Sequence, residues 1–152
     1  MRLGDTDVRL VIFDFNRTLY DPETETLIPG AMDTLVALQA TGVRLALVSR
    51  KEANRAGLLE QLGVREFFTH VEFVSEKDPV VFLSLLRTCN LEPQDVCVVG
   101  DYLFDEIRSA NGCGMRTVWF KSGRFADLVP QVPNDIPQYI IEQLPQLLDL
   151  FS

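Results

Sequence analysis

The sequence predicts an α/β protein with a mostly parallel central sheet and helices on both faces. Short apolar runs rich in Val, Ile, Leu and Phe alternate with longer segments whose apolar residues recur at helical spacing. Three of the apolar runs also end directly in a polar residue, as strands do at the functional edge of a parallel sheet. Strands buried on both faces have this continuous apolar character, so we expect a sheet of five or six strands.

Each predicted strand follows from a short run of β-branched, aromatic or other apolar residues. The clearest run is Leu-Val-Ile-Phe, which ends at Asp14 and fits a strand buried on both faces. In chain order, the predicted strands cover residues 9–13, 43–48, part of 67–74, 96–99, 116–120 and 139–141.

The predicted helices lie between and after these strands. Pro79 stands in a first helical turn, where proline is favoured, and Gly42 and Gly63 follow helix ends. The predicted helices cover residues 29–40, 52–62, 78–89, 103–111 and 144–151. The segments 21–26, 122–129 and 130–137 are predicted as loops, the second with room for a short helix. No linker divides the chain, so residues 1–152 are expected to form a single domain.

The composition argues against several classes of function. The chain has 14 Lys and Arg against 22 Asp and Glu, a net charge of −8, which disfavours binding nucleic acid by charge. Its three cysteines form no CxxC pair and it has one histidine, so no zinc site is predicted. No apolar stretch reaches membrane-spanning length and the N-terminus lacks a signal core, so we expect a soluble cytoplasmic protein without a membrane partner.

Polar residues that could carry chemistry stand where the predicted strands end. Asp14, Ser49 and Asp101 each follow an apolar run, and the carboxyl ends of parallel strands meet at one edge of a sheet. Asp105 lies one helical turn beyond Asp101 and can face the same edge. Lys77 precedes a predicted helix and can reach this edge from a neighbouring loop.

This set of residue types suits phosphate chemistry. The carboxylates of Asp14, Asp101 and Asp105 are hard oxygen ligands of the kind that hold Mg²⁺ together with a substrate phosphate. Lys77 and the Ser49 hydroxyl suit the remaining phosphate oxygens, and a carboxylate can then attack the phosphorus to form an aspartyl phosphate. From its own stretch alone, Asp14 could equally be a residue that only closes a strand.

Four segments resemble, in order, the motifs of the haloacid dehalogenase-like (HAD) superfamily. Asp-Phe-Asn-Arg-Thr-Leu at 14–19 resembles its first motif, usually Asp-x-Asp-x-Thr, and Val48-Ser49 resembles the second. Residues 75–82, with Lys77, are similar to the third motif. Residues 98–115, Gly-Asp-(x)₃-Asp followed by a helix and Gly-Met, are similar to the fourth. The resemblance spans residues 8 to about 150, and four motifs in order are specific where one is not.

The resemblance implies a Rossmann-like three-layer domain, a hydrolase that uses Mg²⁺. By matching positions, it implies that Asp14 is the nucleophile and also binds the metal. It further implies that the backbone carbonyl of Asn16 and the Asp101 carboxylate are metal ligands, with Asp105 supporting the metal site.

The same resemblance implies that Ser49 and Lys77 bind the substrate phosphate. The family often inserts a cap domain after the first motif or between the second and third, but segments 19–29 and 49–77 are too short. We therefore expect a capless member whose open site accepts a phosphorylated substrate, even a large one, unless a neighbour in an oligomer serves as the lid.

Asn16 departs from the family pattern, because it stands where phosphatases of the family carry a second aspartate that protonates the leaving group and activates water. An amide can do neither, although it still forms hydrogen bonds. Three outcomes follow. The protein could be a slow phosphatase, helped by an acidic-loop residue (Asp21, Glu23 or Glu25). It could hold a long-lived aspartyl phosphate for phosphotransfer, or it could have kept the fold and lost the reaction.

The favoured function is a Mg²⁺-dependent phosphomonoester hydrolase that forms an aspartyl phosphate on Asp14 and is slowed by Asn16. The alternative is a catalytically impaired domain with a binding or regulatory role. The intact set of motif residues favours the enzyme, and Asn16 favours the alternative.

Residues around the predicted site are open to two interpretations. Arg17 either touches substrate phosphate or is a solvated loop residue, and Arg50 either adds positive charge to the site or begins an ordinary helix. Tyr102 either borders the site or packs in the core, whereas Trp119 is predicted to be a core residue.

Overall fold

The centre of the computed structural model, which describes all residues 1–152, is a six-stranded sheet in which every pair of neighbouring strands is parallel. The strands are β1 (Arg2–Leu3), β2 (Thr6–Asp7), β3 (Leu10–Phe13), β4 (Tyr20–Asp21), β5 (Thr26–Leu27), β6 (Arg44–Arg50), β7 (His70–Val74), β8 (Val96–Gly100), β9 (Arg116–Phe120) and β10 (Tyr139–Ile141). The central sheet has the order β10-β9-β8-β3-β6-β7, and β1/β2 and β4/β5 form two small antiparallel hairpins. The predicted parallel sheet is confirmed.

Helices cover both faces of this sheet. They are α1 (Ala31–Ala40), α2 (Arg55–Gln61), α3 (Pro79–Cys89), α4 (Arg108–Gly112) and α5 (Gln146–Leu150). Side chains along β3 alternate between two apolar clusters, because successive residues of a strand point to opposite faces. Val11 and Phe13 join residues of α1, α2 and α5, whereas Leu10 and Ile12 join residues of α3 and α4. The three-layer architecture is therefore confirmed, and no helix has the length and apolar character needed to cross a membrane.

The register of the central strands brings the ends of the apolar runs together. Phe13, the last residue of β3, lies opposite Leu47 of β6 and Val99 of β8. Asp14 follows Phe13 directly, and Ser49 and Asp101 each lie two positions after the residue paired with Phe13. These three residues therefore lie side by side at the carboxyl edge of the sheet. Neither cap position holds an inserted domain: only the β4/β5 hairpin separates β3 from α1, and only α2, one 3₁₀ turn and β7 separate β6 from the loop before α3.

Three local differences from the predicted elements affect this edge. The predicted loop 21–26 is the tip of the β4/β5 hairpin, and the helix predicted from residue 52 begins only at Arg55. The strand β6 continues to Arg50, so residues 51–54 form a turn between strand and helix. The segment predicted as one helix from residue 103 begins with a π-helical turn, Leu103–Ile107, before α4.

Candidate active site

A cavity of about 330 Å³ opens at the carboxyl edge of the sheet. Most of its lining residues are charged or polar. They are Asp14, Asn16, Arg17, Ser49, Arg50, Glu52, Lys77, Asp101, Tyr102, Asp105, Glu106 and Phe125. All six site residues predicted from the sequence thus lie on one cavity, although they come from four separate segments of the chain.

Asp14 is buried at the end of β3 and is held on both carboxylate oxygens. The backbone N–H of Phe15 donates to Oδ1 at 2.8 Å, and the hydroxyl of Thr18 donates to Oδ2 at 3.4 Å. The ammonium of Lys77 forms an ion pair with Oδ1. Burial by itself would raise the pKa of Asp14, but the charge of Lys77 together with hydrogen bonds to neighbouring side chains outweighs burial and holds the pKa below its usual value. Asp14 is therefore a buried carboxylate that stays ionised, as a nucleophile requires.

Lys77 is fixed through its backbone and through two carboxylates. Ser109 donates its hydroxyl hydrogen to the Lys77 carbonyl at 2.8 Å, and the Lys77 ammonium lies 3.9 Å from the Glu106 carboxylate. Burial would lower the pKa of Lys77, but the charges of Asp14 and Glu106 raise it well above its usual value. Lys77 therefore stays a cation in the buried part of the cavity.

Three buried carboxylates, those of Asp14, Asp101 and Glu106, form an acidic trio whose oxygen atoms lie within 4.8 Å of one another. Burial, followed by the charge of Asp14, raises the pKa of Asp101 to about 10. Burial also raises the pKa of Glu106 to about 8, with the Asp14 charge adding to the rise. A single ammonium, that of Lys77, faces these three acids, so the trio lacks positive charge.

The trio fits a divalent cation. One oxygen of Asp101, Oδ2, is buried and has no hydrogen-bond partner, although buried polar atoms are nearly always paired. The Asp101 carbonyl, in contrast, accepts a hydrogen bond from the indole N–H of buried Trp119 at 2.9 Å. Carboxylate oxygens grouped in this way suit Mg²⁺. Trp119 is a core residue as predicted, and it also fixes the backbone of Asp101.

Glu106 joins the trio in place of Asp105. Hydrogen bonds of a π turn span five residues rather than four, so residue 106 rather than 105 returns to the position above Asp101. Gly100 makes room for it, since a Cβ there would overlap the Glu106 side chain. Asp105 lines the cavity but pairs with the guanidinium of Arg50 at 2.7 Å. Arg50 is thus the last residue of a strand at the cavity, not the start of a helix.

Asn16 is held by a carboxylate that the sequence did not single out. Its amide nitrogen donates to Oε1 of Glu52 at 2.9 Å, and the other Glu52 oxygen pairs with Arg55. Arg55 is buried and its guanidinium lies 4.7 Å from the centre of the Phe15 ring. The side-chain amide oxygen of Asn16, Oδ1, is buried without a partner. None of the acidic-loop residues proposed as helpers lines the cavity, so Glu52 replaces them as the carboxylate beside Asn16.

Ser49 is buried at the end of β6 and lines the cavity, as predicted. Its hydroxyl donates to the Arg50 carbonyl at 3.2 Å, a long hydrogen bond that leaves the oxygen able to accept others. The structure thus brings Ser49 to the same cavity as Asp14 and Lys77.

One wall of the cavity, which we call the Arg17 rim, consists of Arg17, Tyr102 and Phe125. The Arg17 guanidinium lies 5.8 Å from the centre of the Phe125 ring, and Tyr102 meets that ring edge-on at 4.7 Å. Arg17 has a positive φ of 60°, which costs a residue with a Cβ roughly 1–2 kcal/mol. No sequence pattern singled out Phe125, which lies in a 3₁₀ turn (Gly123–Phe125) after β9.

Comparison with known proteins agrees with this geometry. The profile of the family described as haloacid dehalogenase-like hydrolase matches residues 7–114. A glyceraldehyde 3-phosphate phosphatase of Pyrococcus furiosus is 34% identical over 133 residues, which make up 82% of this chain and 54% of that protein. Phosphoglycolate phosphatase 1 of Pseudomonas aeruginosa is 27% identical over 96% of this chain and 55% of its own length. The chain therefore spans about half the length of these relatives.

Among solved structures, a putative HAD-hydrolase of Bacillus subtilis bound to magnesium superimposes with a TM-score of 0.80. The match covers 95% of this chain and 98% of that chain, at 16% sequence identity. At this identity the likeness concerns the fold.

Proposed function

The chain belongs to the haloacid dehalogenase-like hydrolase family, and we propose that it is a Mg²⁺-dependent phosphomonoester hydrolase that acts through Asp14. The observation that carries the proposal is the buried, ionised Asp14 at the strand end, paired with Lys77 and flanked by Asp101 and Glu106. A buried aspartate with a purely structural role pairs with a cation and has all its oxygens hydrogen-bonded. Here three buried carboxylates share one ammonium, and Oδ2 of Asp101 has no partner.

The proposed metal ligands are the carboxylates of Asp14 and Asp101 and the backbone carbonyl of Asn16, with Glu106 completing the acidic environment. Asp105, which pairs with Arg50, is proposed to support the site from its rim. When bound, Mg²⁺ supplies positive charge that neutralises the substrate phosphate and lets an anionic nucleophile approach.

The first step is attack by Asp14 on phosphorus. Lys77 and the Ser49 hydroxyl hold phosphate oxygens, and a carboxylate oxygen of Asp14 forms the new P–O bond. The ester P–O bond breaks with its electron pair, which goes to the leaving oxygen. Because Asn16 cannot supply a proton to that oxygen, the step favours leaving groups that depart as anions. Loss of a general acid typically lowers the rate by about 10²–10⁴-fold.

The second step is hydrolysis of the aspartyl phosphate. Water attacks phosphorus, its proton passes to a base, and the bond to Asp14 breaks to return the carboxylate and release inorganic phosphate. We assign the base to Glu52, since this carboxylate lines the cavity, contacts the Asn16 amide and is about half exposed to water, at 51% of its side chain. The ion pair with Arg55 holds the Glu52 side chain in place beside Asn16.

We propose a small phosphorylated metabolite as the substrate. The relatives named above are phosphatases of compact phosphate esters, and the cavity of about 330 Å³ is of a size for such molecules. Neither observation supports the large substrate, or the lid from an oligomer neighbour, that an open site would also allow.

The alternative, a catalytically impaired domain that binds without turnover, is favoured by one observation. The amide of Asn16 replaces an acid at the position that the family uses for proton transfer.

Comparing aryl and alkyl phosphates separates these functions. We expect the wild-type protein to hydrolyse p-nitrophenyl phosphate slowly with Mg²⁺ and ethyl phosphate far more slowly, and Asp14→Asn to remove both activities. Asn16→Asp places a second carboxylate beside Glu52, so the pair will share a proton and supply the missing acid. This variant should raise ethyl phosphate turnover about 10- to 100-fold and the aryl rate much less.

Glu52→Gln, with Glu60→Gln on the exposed side of α2 as its matched control, tests the second step. We expect Glu52→Gln to give one burst of nitrophenol and then stall as phosphoenzyme, and Glu60→Gln to behave as wild type. Absence of Mg²⁺-dependent phosphate release from the wild type and from Asn16→Asp alike would refute the enzyme and leave the binding domain.

A further inference from the structure

One cation at the cavity has no role in the proposed reaction and no acidic partner. Lys77 pairs with Asp14 and Arg50 pairs with Asp105, whereas Arg17 forms no ion pair or side-chain hydrogen bond with the rest of the chain. The other half-buried arginines that lack a carboxylate partner, Arg44, Arg65 and Arg116, each donate to a carbonyl or hydroxyl oxygen. Arg17 has only its contact with the Phe125 ring. Such a group retains its full capacity to bind an anion.

The backbone fixes where this guanidinium can act. Arg17 adopts a left-handed conformation, with φ of 60°, and its N–H donates to the Tyr20 carbonyl at 2.6 Å. Arg17 lies three positions after Asp14 in the chain, which limits the distance between the two Cα atoms to about 11 Å. An anion on Arg17 therefore belongs to the same small molecule whose phosphate meets Asp14.

The rest of the Arg17 rim holds the guanidinium over the cavity. The ring of Phe125 lies beneath it at 5.8 Å and is itself fixed by edge-on contact with Tyr102 at 4.7 Å. Tyr102 directly follows Asp101, so the rim is continuous with the acidic trio. A guanidinium supported on an aromatic face presents its N–H groups sideways, which suits a planar anion.

The anion that fits this rim is a carboxylate. A guanidinium matches a carboxylate with two parallel hydrogen bonds. Five carboxylates also line the cavity, those of Asp14, Glu52, Asp101, Asp105 and Glu106. They would repel a doubly charged second phosphate more strongly than a singly charged carboxylate.

We propose that Arg17 is a specificity residue that binds a carboxylate on the substrate, which makes compact phosphomonoesters carrying a carboxylate the preferred substrate class. The inference rests on the proposed function, since it assumes that the phosphate of the same molecule occupies the site at Asp14. Arg17 takes no part in either chemical step.

Matched pairs of ligands test the proposal. The hydrolysable pair is phosphoglycolate and ethyl phosphate, and the non-hydrolysable pair is 3-phosphonopropionate and propylphosphonate. In each pair the first member has the carboxylate and the second lacks it. With Mg²⁺ present, we expect wild type to prefer the carboxylate member by at least about tenfold in kcat/KM, and in Kd measured by calorimetry.

The variants are Arg17→Gln and, as control, Arg124→Gln. Arg124 lies 5.5 Å from the same Phe125 ring but is exposed and does not line the cavity. Arg17→Gln should lose about 10- to 100-fold on the carboxylate member while the other member changes less than about threefold. Arg124→Gln should keep the wild-type preference, and Arg17→Lys should fall between, since an ammonium lacks the paired geometry.

Two outcomes would overturn the proposal: no preference in wild type, or an equal loss on both members in Arg17→Gln, which a merely structural role would produce. The phosphonate arm keeps this result separate from the proposed function. If neither wild type nor Asn16→Asp releases phosphate from any of the esters, the hydrolase is refuted, but selective loss of phosphonopropionate binding in Arg17→Gln would still support the carboxylate site.

Discussion

Two buried aspartates show how a functional carboxylate differs from a structural one. Asp135 accepts hydrogen bonds from Nε and Nη2 of Arg108 at 2.5 and 2.9 Å, and from the N–H groups of Gln131 and Val132 at 2.9 and 3.1 Å. Asp101 is buried to a similar extent, 3% exposed against 0%, yet its Oδ2 has no partner.

The surroundings drive the pKa values of the two groups in opposite directions. The hydrogen bonds from Arg108 hold the pKa of Asp135 below its usual value. Burial, with the negative charge of Asp14, raises the pKa of Asp101 to about 10. A carboxylate whose oxygens are all paired with donors of the chain stabilises the fold. A carboxylate with an unpaired oxygen and too few neighbouring cations can bind an added cation. Replacing each residue in turn by asparagine tests this difference, through activity at Asp101 and through stability at Asp135.

The largest expected effect is on activity. Asp101→Asn should lower Mg²⁺-dependent turnover of p-nitrophenyl phosphate about a thousandfold, since it removes a proposed ligand that stabilises charge by several kcal/mol. It should also abolish the rise in thermal midpoint that Mg²⁺ gives the wild type. Without metal, its midpoint should not fall, because asparagine resembles the neutral form that the raised pKa favours. A lower metal-free midpoint with unchanged turnover would make Asp101 structural.

The second effect, smaller in free energy, is on stability. Asp135→Asn leaves Arg108 without a charged partner and converts an acceptor oxygen into an N–H₂ group facing backbone donors. It should lower the free energy of unfolding by about 2 kcal/mol and the thermal midpoint by about 4–8 °C. Turnover per folded molecule should stay as in wild type, because neither residue lines the cavity. Urea unfolding and the aryl phosphate assay at 20 °C check both statements.

The smallest effect is the pH dependence of that stability difference. Because the folded-state pKa of Asp135 is lowered, its contribution is fully present above the ordinary aspartate pKa of about 4 and is lost as the pH falls through the folded value. The gap between wild type and Asp135→Asn should therefore shrink progressively as the pH falls below 4. A gap that stays constant from pH 7 to pH 3 would show that the ionised form of Asp135 is not what stabilises the loop.

The same two aspartates show what could be predicted from the sequence. Asp101 was predictable, because a carboxylate at the end of a buried apolar run stands out and the fourth motif surrounds it. Asp135 was not, since it lies in a Pro-rich segment predicted as a plain loop. Its partner Arg108 is 27 residues away on another element, and no local pattern joins them.

The sequence by itself determined the parallel sheet, its order of elements and the meeting of Asp14, Ser49, Lys77 and Asp101 at one edge. Strand patterns are local, and parallel strands must end on the same side. Tertiary structure alone decided three further points. The π turn puts Glu106 rather than Asp105 in the trio, Glu52 meets Asn16 across 36 residues, and Phe125 supports Arg17. Each depends on how side chains from distant segments pack, to within a few ångströms, and hydrophobic periodicity does not encode distances of that size.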